Sequence, residues 1–285
     1  MKKYGLNLDL ELKHASDDDW VFGGFSIPCL ASIPESDRVK YLPIGEVQRG
    51  KEDMMDCATR GPINILETKF NYLYRNNKLI PENKKWLEDN NYVNNGNIEF
   101  SDAFIAILSG TTREGNSLKA PLQAIENNGL IPKSKLPFIN SMSFEQYHDP
   151  NRITDSLKSL GQEFKRRFPI NYEKVYAVHF NELYESDLID EAGYAWPQPI
   201  NGEYPRVEED PNHVWVGICR PLHTIFDNYI DPVDGDFIKK LASDYKMLDY
   251  GYRVYITSQN KVVNTLQKYS LLDKIITWIK TLLNF

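Results

Sequence analysis

The apolar residues change period part-way along the chain, and that change restricts the fold more than any other feature. From Pro62 onward Ile63, Leu66, Phe70 and Leu73 recur at spacings of three and four, with Ile65 and Lys69 at the edges of the same face. A stripe of this kind belongs to an amphipathic helix. Pro62 suits the first turn, where its missing N–H is least harmful; a start nearer Asp56 would make Pro62 a kink. Later the alternation becomes two-fold: "KVYAVHFNEL", "HVWVGICR", "HTIFDNYI" and "YGYRVYITS" read as strands. Helices first and strands second is the order of an α+β protein, a helical half packed on an antiparallel sheet half.

Other segments are assigned by local signals. Residues 1–44 read as a β-rich lead-in, because Tyr4, Leu6, Leu8, Leu10 and Leu12 alternate and Gly23, Gly24, Pro28 and Pro34 supply turns. "NNKLIPENKKWLEDNNYVNNGNIEF" is rich in Asn and reads as a polar surface excursion. Ser101 is an N-cap for a short helix carrying Phe104, Ile105 and Leu108. "GTTREGN" is a loop, and "SLKAPLQAIENNG" is a second short helix closed by Gly129. Residues 150–170 form another helix, with Ile153, Leu157, Leu160, Phe164 and Phe168 on one face. There is no internal repeat.

Composition removes several function classes. The 285 residues carry a net charge of −7, so no nucleic-acid partner is expected, since a phosphate grip needs a basic surface. Lys165, Arg166 and Arg167 read as a solvated helix face. No stretch approaches the roughly 18 apolar residues of a spanning helix, and "MKKYGLNLDLELKH" lacks the apolar centre of a signal peptide; a cytoplasmic location is expected. Three cysteines make no disulfide framework and suit a reducing compartment. Cys219 and His223 lack a second pair for zinc, and Asp231, Asp234 and Asp236 lack the EF-hand's alternation and terminal Glu. No metal and no organic cofactor is expected.

The cysteine before the long helix admits two readings. Cys57 is either a small buried apolar residue or a thiol at a helix N-terminus, where the dipole favours the thiolate. The second needs a histidine, a group to orient it and an oxyanion donor. His213 opens a strand after the loop "EEDPN". If that strand pairs antiparallel with 224–230, Asp227 reaches the His213 ring, where a carboxylate fixes the tautomer. Gln48 stands in a loop nine residues before Cys57, and its amide N–H can join the Cys57 main-chain N–H as an oxyanion hole. Cys219 is six residues from His213 on one strand, roughly 20 Å away at about 3.3 Å per residue, and reads as a structural thiol. Cys29 reads as a small buried residue.

The order of these pieces resembles the papain-like cysteine peptidases over roughly residues 41–137 and 205–257. "YLPIGEVQRGKEDMMDCATRGPINILE" is similar to that family's entry: Leu-Pro, a glutamine, then the nucleophilic cysteine opening a central helix. "FSDAFIAILSGTTREGNSLKAPLQAIENNGLIPKSKLPF" is similar to its next section, and "NHVWVGI" to the strand with its catalytic histidine. "IFDNYIDP" stands where the family has Asn-Ser-Trp. The resemblance implies Cys57 as nucleophile, His213 as general base and acid, Asp227 as the orienting residue and Gln48 as oxyanion donor. It implies a peptide or protein substrate and a papain-like domain over 1–268. In that domain a helical lobe near 45–140 and a β-rich lobe near 170–260 flank the cleft. Departures are Ala58 and Thr59 after the cysteine, a longer gap from Gln48 to Cys57, Asp227 for Asn, and Tyr229 where a Trp shields the pair. No inhibitory propeptide and no lysosomal-type disulfides are evident. These departures resemble a divergent intracellular branch of phages and prophages, which implies possible association with a virion.

The end of the chain, "YSLLDKIITWIKTLLNF", places Leu271, Leu272, Ile275, Ile276, Ile279, Leu282 and Leu283 on one stripe. Residues 269–285 read as an amphipathic helix that docks on its own domain, on a partner helix or on a membrane surface. This tail supports a rival class, a non-enzymatic structural or assembly component, for instance of a phage virion, that keeps the fold. A peptidoglycan amidase of the Cys-His amidohydrolase type is a third reading.

Overall fold

A computed structural model describes residues 5–14, 21–22, 29–219, 223–231 and 235–260. The chain begins with α1 (Leu8–His14), followed by a 3-10 turn at Glu35–Tyr41. The helical part holds α2 (Cys57–Arg75), α3 (Pro81–Asp89), a hairpin of β1 (Val93–Asn94) and β2 (Asn97–Ile98), then α4 (Asp102–Leu108), α5 (Lys119–Asn128), α6 (Phe144–Tyr147) and α7 (Asp155–Arg167). The rest holds β3 (Ile170–Tyr176), α8 (Phe180–Tyr184), β4 (Ile189–Gly193), β5 (His213–Cys219), β6 (Thr224–Phe226), β7 (Ile238–Lys240) and β8 (Tyr250–Ile256). These last six strands form one antiparallel sheet in the order β3-β8-β4-β5-β6-β7. The architecture is α+β, as the change of period predicts.

Helix α2 sits between the sheet and the other helices, so it is buried on all sides from Cys57 to Asn71. Its apolar stripe ends in an aromatic cluster. The Phe70 ring lies 5.4 Å from Phe100, 5.4 Å from Phe164 and 5.0 Å from Phe168. Several of its polar residues are buried and paired. Lys69 lies 2.7 Å from Asp187, which also takes Arg253 at 2.8 Å. Arg60 lies 2.9 Å from Asp56 and 3.1 Å from Asp102. Removing one member of such a pair strands a buried charge, at a cost of about 3–5 kcal/mol.

The structure corrects several sequence readings. Helix α2 starts at Cys57, so Pro62 lies inside it; the missing N–H removes one main-chain bond, and burial on all sides holds the helix through it. The lead-in is not β-rich: its described residues make α1, the 3-10 turn and isolated bridges from Leu6 to Asn116 and Val21 to Lys174. The alternating leucines belong to α1, where Asn7 accepts the Leu10 N–H at 3.0 Å, Leu12 faces solvent and the buried anchor is Glu11. The Asn-rich excursion folds as α3 and the β1–β2 hairpin, with Asn95 and Gly96 at positive φ in its turn. Its Leu79, Leu87, Tyr92 and Ile98 are buried. Strand β3 stops at Tyr176, and "AVHFNEL" becomes a 3-10 turn and α8, because Phe180, Leu183 and Tyr184 share a helical face. Cys29 is half-buried. Arg167 turns inward to Glu163 at 2.8 Å and Asn83 at 3.0 Å.

Ser101 accepts the Phe104 N–H and caps α4, and α5 ends at Gly129, both as the sequence predicts. The amphipathic segment 269–285 lies outside the described residues. Among the described residues no helix is long and apolar enough to cross a membrane.

Two predictions concern α2. A β-carbon on Gly61 would fall 2.0 Å from Asp190 Oδ1 and 3.0 Å from Val214 Cγ1. Gly61→Ala is therefore expected to lower stability by about 1–3 kcal/mol, read as an earlier midpoint in urea unfolding. Burial pushes the Asp102 carboxyl up to about 7 against the pull of Arg60. A raised carboxyl gives stability that is full below its unfolded range near ~4 and is lost as pH rises to about 7. The Tm advantage of wild type over Asp102→Asn should be smaller at pH 8 than at pH 5.

Candidate active site

Cys57 is the first residue of α2 and is buried. The turn that presents it is fixed by Asp56, whose carboxylate takes Arg60 at 2.9 Å and the Tyr147 hydroxyl at 2.7 Å. The main-chain N–H of Val214, the residue after His213, points at the thiol. Burial pushes the thiol well above its ordinary value; the Val214 N–H opposes this, and Asp56, Asp53 and Asp227 add to it.

His213 is the first residue of β5 and is fully buried. Strands β5 and β6 pair antiparallel with Val216 opposite Phe226. Asp227 follows the end of β6 rather than lying within a strand, and its N–H bonds Phe237 O at 2.9 Å. This register brings Asp227 Oδ1 to 2.6 Å from His213 Nε2. The same oxygen accepts the Asn228 N–H at 2.6 Å, and Lys239 Nζ stands 3.0 Å from Oδ2. Burial alone would raise the Asp227 carboxyl, but His213 and Lys239 hold it below the usual carboxylate value. Three rings frame the imidazole: Tyr229 at 5.1 Å, Trp196 at 5.6 Å and Trp215 at 6.2 Å.

The nine-residue gap from Gln48 to Cys57 is taken up by a closed loop. Met54 N–H returns to Gln48 O at 3.1 Å, and Gln48 N–H bonds Asn228 O at 3.2 Å. Asp53 is the hub. Its carboxylate takes the Gln48 amide at 2.9 Å, the Met55 N–H at 3.0 Å, the Arg49 guanidinium at 2.9 Å and the Tyr229 hydroxyl. Gln48 Nε2 also donates to the Tyr229 oxygen at 2.7 Å. Gln48 thus reaches the site from a long loop because the intervening residues close back on it through Met54 and Asp53.

The leading segment of the chain crosses this site. Asn116 N–H donates to Gly5 O at 2.9 Å, Asn7 N–H to Asn116 O at 2.8 Å, and Leu6 N–H to Asn212 O at 3.3 Å. Gly5 passes so close to the nucleophile candidate that a β-carbon there would lie 2.9 Å from Cys57 Sγ and 2.7 Å from the Met55 carbonyl. The short main-chain segment Gly5–Asn7 therefore links Asn116 and Asn212 beside the thiol.

The fold has counterparts among solved structures. Xylellain, a cysteine protease from Xylella fastidiosa, matches with a TM-score of 0.52 at 12% identity, over 90% of this chain and 96% of that one. The proform of the Amb a 11 cysteine protease, a ragweed pollen allergen, matches with a TM-score of 0.53 at 11% identity, over 91% and 76%. Procathepsin B S9 from Trypanosoma congolense gives 0.52 at 9% identity, over 82% and 80%. The chain has the papain-like fold. No family model matches the sequence, and neither does any curated protein.

Within this papain-like chain, the sequence singled out Cys57, His213, Asp227 and Gln48. The structure joins His213 to Asp227, sets Cys57 against the residue after His213, and links Gln48 to the His213 side through Tyr229. Sequence reading missed Asp53, Lys239 and Trp196. Asp53 stands four residues before Cys57 in an acidic loop, with nothing to mark it as a hub. Lys239 comes from β7, whose place only the sheet order reveals, and Trp196 from the connection between β4 and β5, outside any strand. Among the described residues no group of three or more His, Cys, Asp or Glu side chains converges as metal ligands would.

Gly5→Ala is expected to lift the leading segment from the thiol. Its φ of +109° is one that side-chain-bearing residues rarely adopt, and the added carbon collides with Met55 and Cys57. Strain of about 1–3 kcal/mol should raise the iodoacetamide alkylation rate of Cys57 roughly tenfold at pH 7.5, with Cys29 and Cys219 replaced by Ser. An unchanged rate would mean that the segment does not guard the sulfur.

Proposed function

We propose that this protein is a cysteine peptidase that hydrolyses peptide bonds in an extended polypeptide. The observation that carries the reading is the leading segment itself. The main chain of Gly5–Asn7 passes beside Cys57, bonded to Asn116 on one side and Asn212 on the other. A groove that holds peptide in this way suits peptide as substrate. The His213–Asp227 pair and the fold shared with cysteine proteases support the same reading.

In the proposed reaction His213 takes the Cys57 proton and the thiolate attacks the substrate carbonyl carbon, forming an S–C bond and an oxyanion. The Cys57 N–H and Gln48 hold the oxyanion; for Gln48 to serve, its amide must release Asp53 or Tyr229. The C–N bond breaks as His213 gives its proton to the leaving amine. Water then adds to the thioester with His213 as base, releasing the acid and restoring the thiol. Asp227 keeps the imidazole oriented throughout. The free state of Cys29, Cys57 and Cys219 suits a reducing compartment.

The test is hydrolysis of unfolded casein and of a peptide library by the Gly5→Ala protein. Cys57→Ala and His213→Ala in that background should abolish turnover. Gln48→Ala should cost ~100- to 1,000-fold in kcat. Full activity in Cys57→Ala would overturn the mechanism. A thiol that stays inert to alkylation after the segment is lifted would instead favour a non-enzymatic assembly component, and cell-wall zymography would reveal an amidase.

A further inference from the structure

The candidate histidine is oriented by a carboxylate, and a buried carboxylate beside an imidazole does more than orient it. Its negative charge also holds the proton on the ring. The same charge helps His213 take the thiol proton and makes its later release to the amine less favourable.

The structure supplies the compensation. Lys239 lies on β7, opposite Ile225 of β6, two residues beyond Phe237, whose carbonyl receives the Asp227 N–H. Its side chain is 1% exposed, and Asp227's is fully buried. The two oxygens of Asp227 are divided: Oδ1 takes His213 and the Asn228 N–H, both at 2.6 Å, and Oδ2 faces the Lys239 ammonium at 3.0 Å. The ammonium also donates to the Tyr229 main-chain oxygen and stands 5.3 Å from the centre of the Trp196 ring. A lysine seldom enters a protein interior without a partner, and here it is enclosed by a carbonyl, an aromatic face and this carboxylate.

We propose, on the reading of His213 as the catalytic base, that Lys239 neutralises Asp227 so that the carboxylate orients the imidazole as an uncharged acceptor would. Lys239 is a positioning residue: it acts through Asp227. The titratable groups around the pair are Cys57 at the start of α2, with Asp53 and Asp56 acting on it, Tyr229 over the ring, and Lys239 from β7. The charges of Asp53 and Asp56 act on Cys57, and among the described residues Lys239 is the lysine or arginine paired with the orienting carboxylate itself.

The test is the titration of His213, followed by NMR of ring-labelled histidine and assigned with His213→Ala. Lys239→Met leaves Asp227 uncompensated and should move the midpoint of this titration upward. Asp227→Asn leaves Lys239 uncompensated and should move it downward. The double variant Asp227→Asn/Lys239→Met should return it close to wild type, and Lys239→Arg should leave it there. A structural loss would not produce opposite shifts that cancel. In kcat/KM against pH, the alkaline limb should follow the same three displacements. An unmoved His213 in Lys239→Met, or shifts of the same sign in both single variants, would overturn the charge balance. If Lys239→Met does not fold, the downward shift in Asp227→Asn and its recovery in the double variant still decide the matter. If His213 titrates as stated and no variant hydrolyses peptide, the balance stands and the peptidase reading falls.

Discussion

Gly61 lets helix α2 lie so close to β4 and β5 that Asp190 and Val214 fill the space a β-carbon would need. The site depends on that contact. Cys57 is four residues before Gly61 on the helix, and His213 is next to Val214 on the strand. The nucleophile candidate thus comes from the helical part and its partner from the sheet, and the seam between them sets their relation. Interiors pack nearly as densely as crystals, so a small displacement of α2 has no free space to absorb it. Lys69, which bonds Asp187 and the Val254 carbonyl of β8, ties the same helix to the sheet side. An apolar stripe alone would tolerate sliding.

A second theme is the management of buried charge. Asp53 gathers a guanidinium, an amide, a phenol and a main-chain N–H in one loop. Asp227 gathers an imidazole, a main-chain N–H and an ammonium. Tyr229 connects the two, bonding the Asp53 carboxylate through its hydroxyl and stacking edge-on against His213. Electrostatic interactions strengthen where water is excluded, so each carboxylate is surrounded on several sides.

The sequence carried the local signals well. Ser101 before an apolar run and Gly129 after one marked α4 and α5, because caps are read from one or two residues. The His213–Asp227 pair was legible because adjacent strands keep their ends close, although Asp227 itself follows the end of β6. The alternating leucines of α1 misled: two-fold spacing of leucines is also consistent with a short helix whose buried anchor is polar, and Glu11 is that anchor. The Asn-rich stretch misled because its composition is polar while Leu87, Tyr92 and Ile98 still face the core. Asp53 and Lys239 were not legible at all. Their roles depend on a loop closing on itself and on which strand lies beside β6, and neither leaves a local mark.

The stretch that covers Cys57 is fastened at more than one point. Past Gly5 and Leu6, Glu11 is fully buried and accepts the Leu118 N–H at 2.7 Å and the Tyr250 hydroxyl at 2.8 Å. One carboxylate thereby serves the first turn of α5 and a side chain of β8. Peeling this stretch away exposes the sulfur, and it also leaves a helix start without its acceptor and a buried phenol without its partner. Access to the thiol and cohesion of the two halves are therefore drawn from a single equilibrium: any condition that loosens one loosens the other.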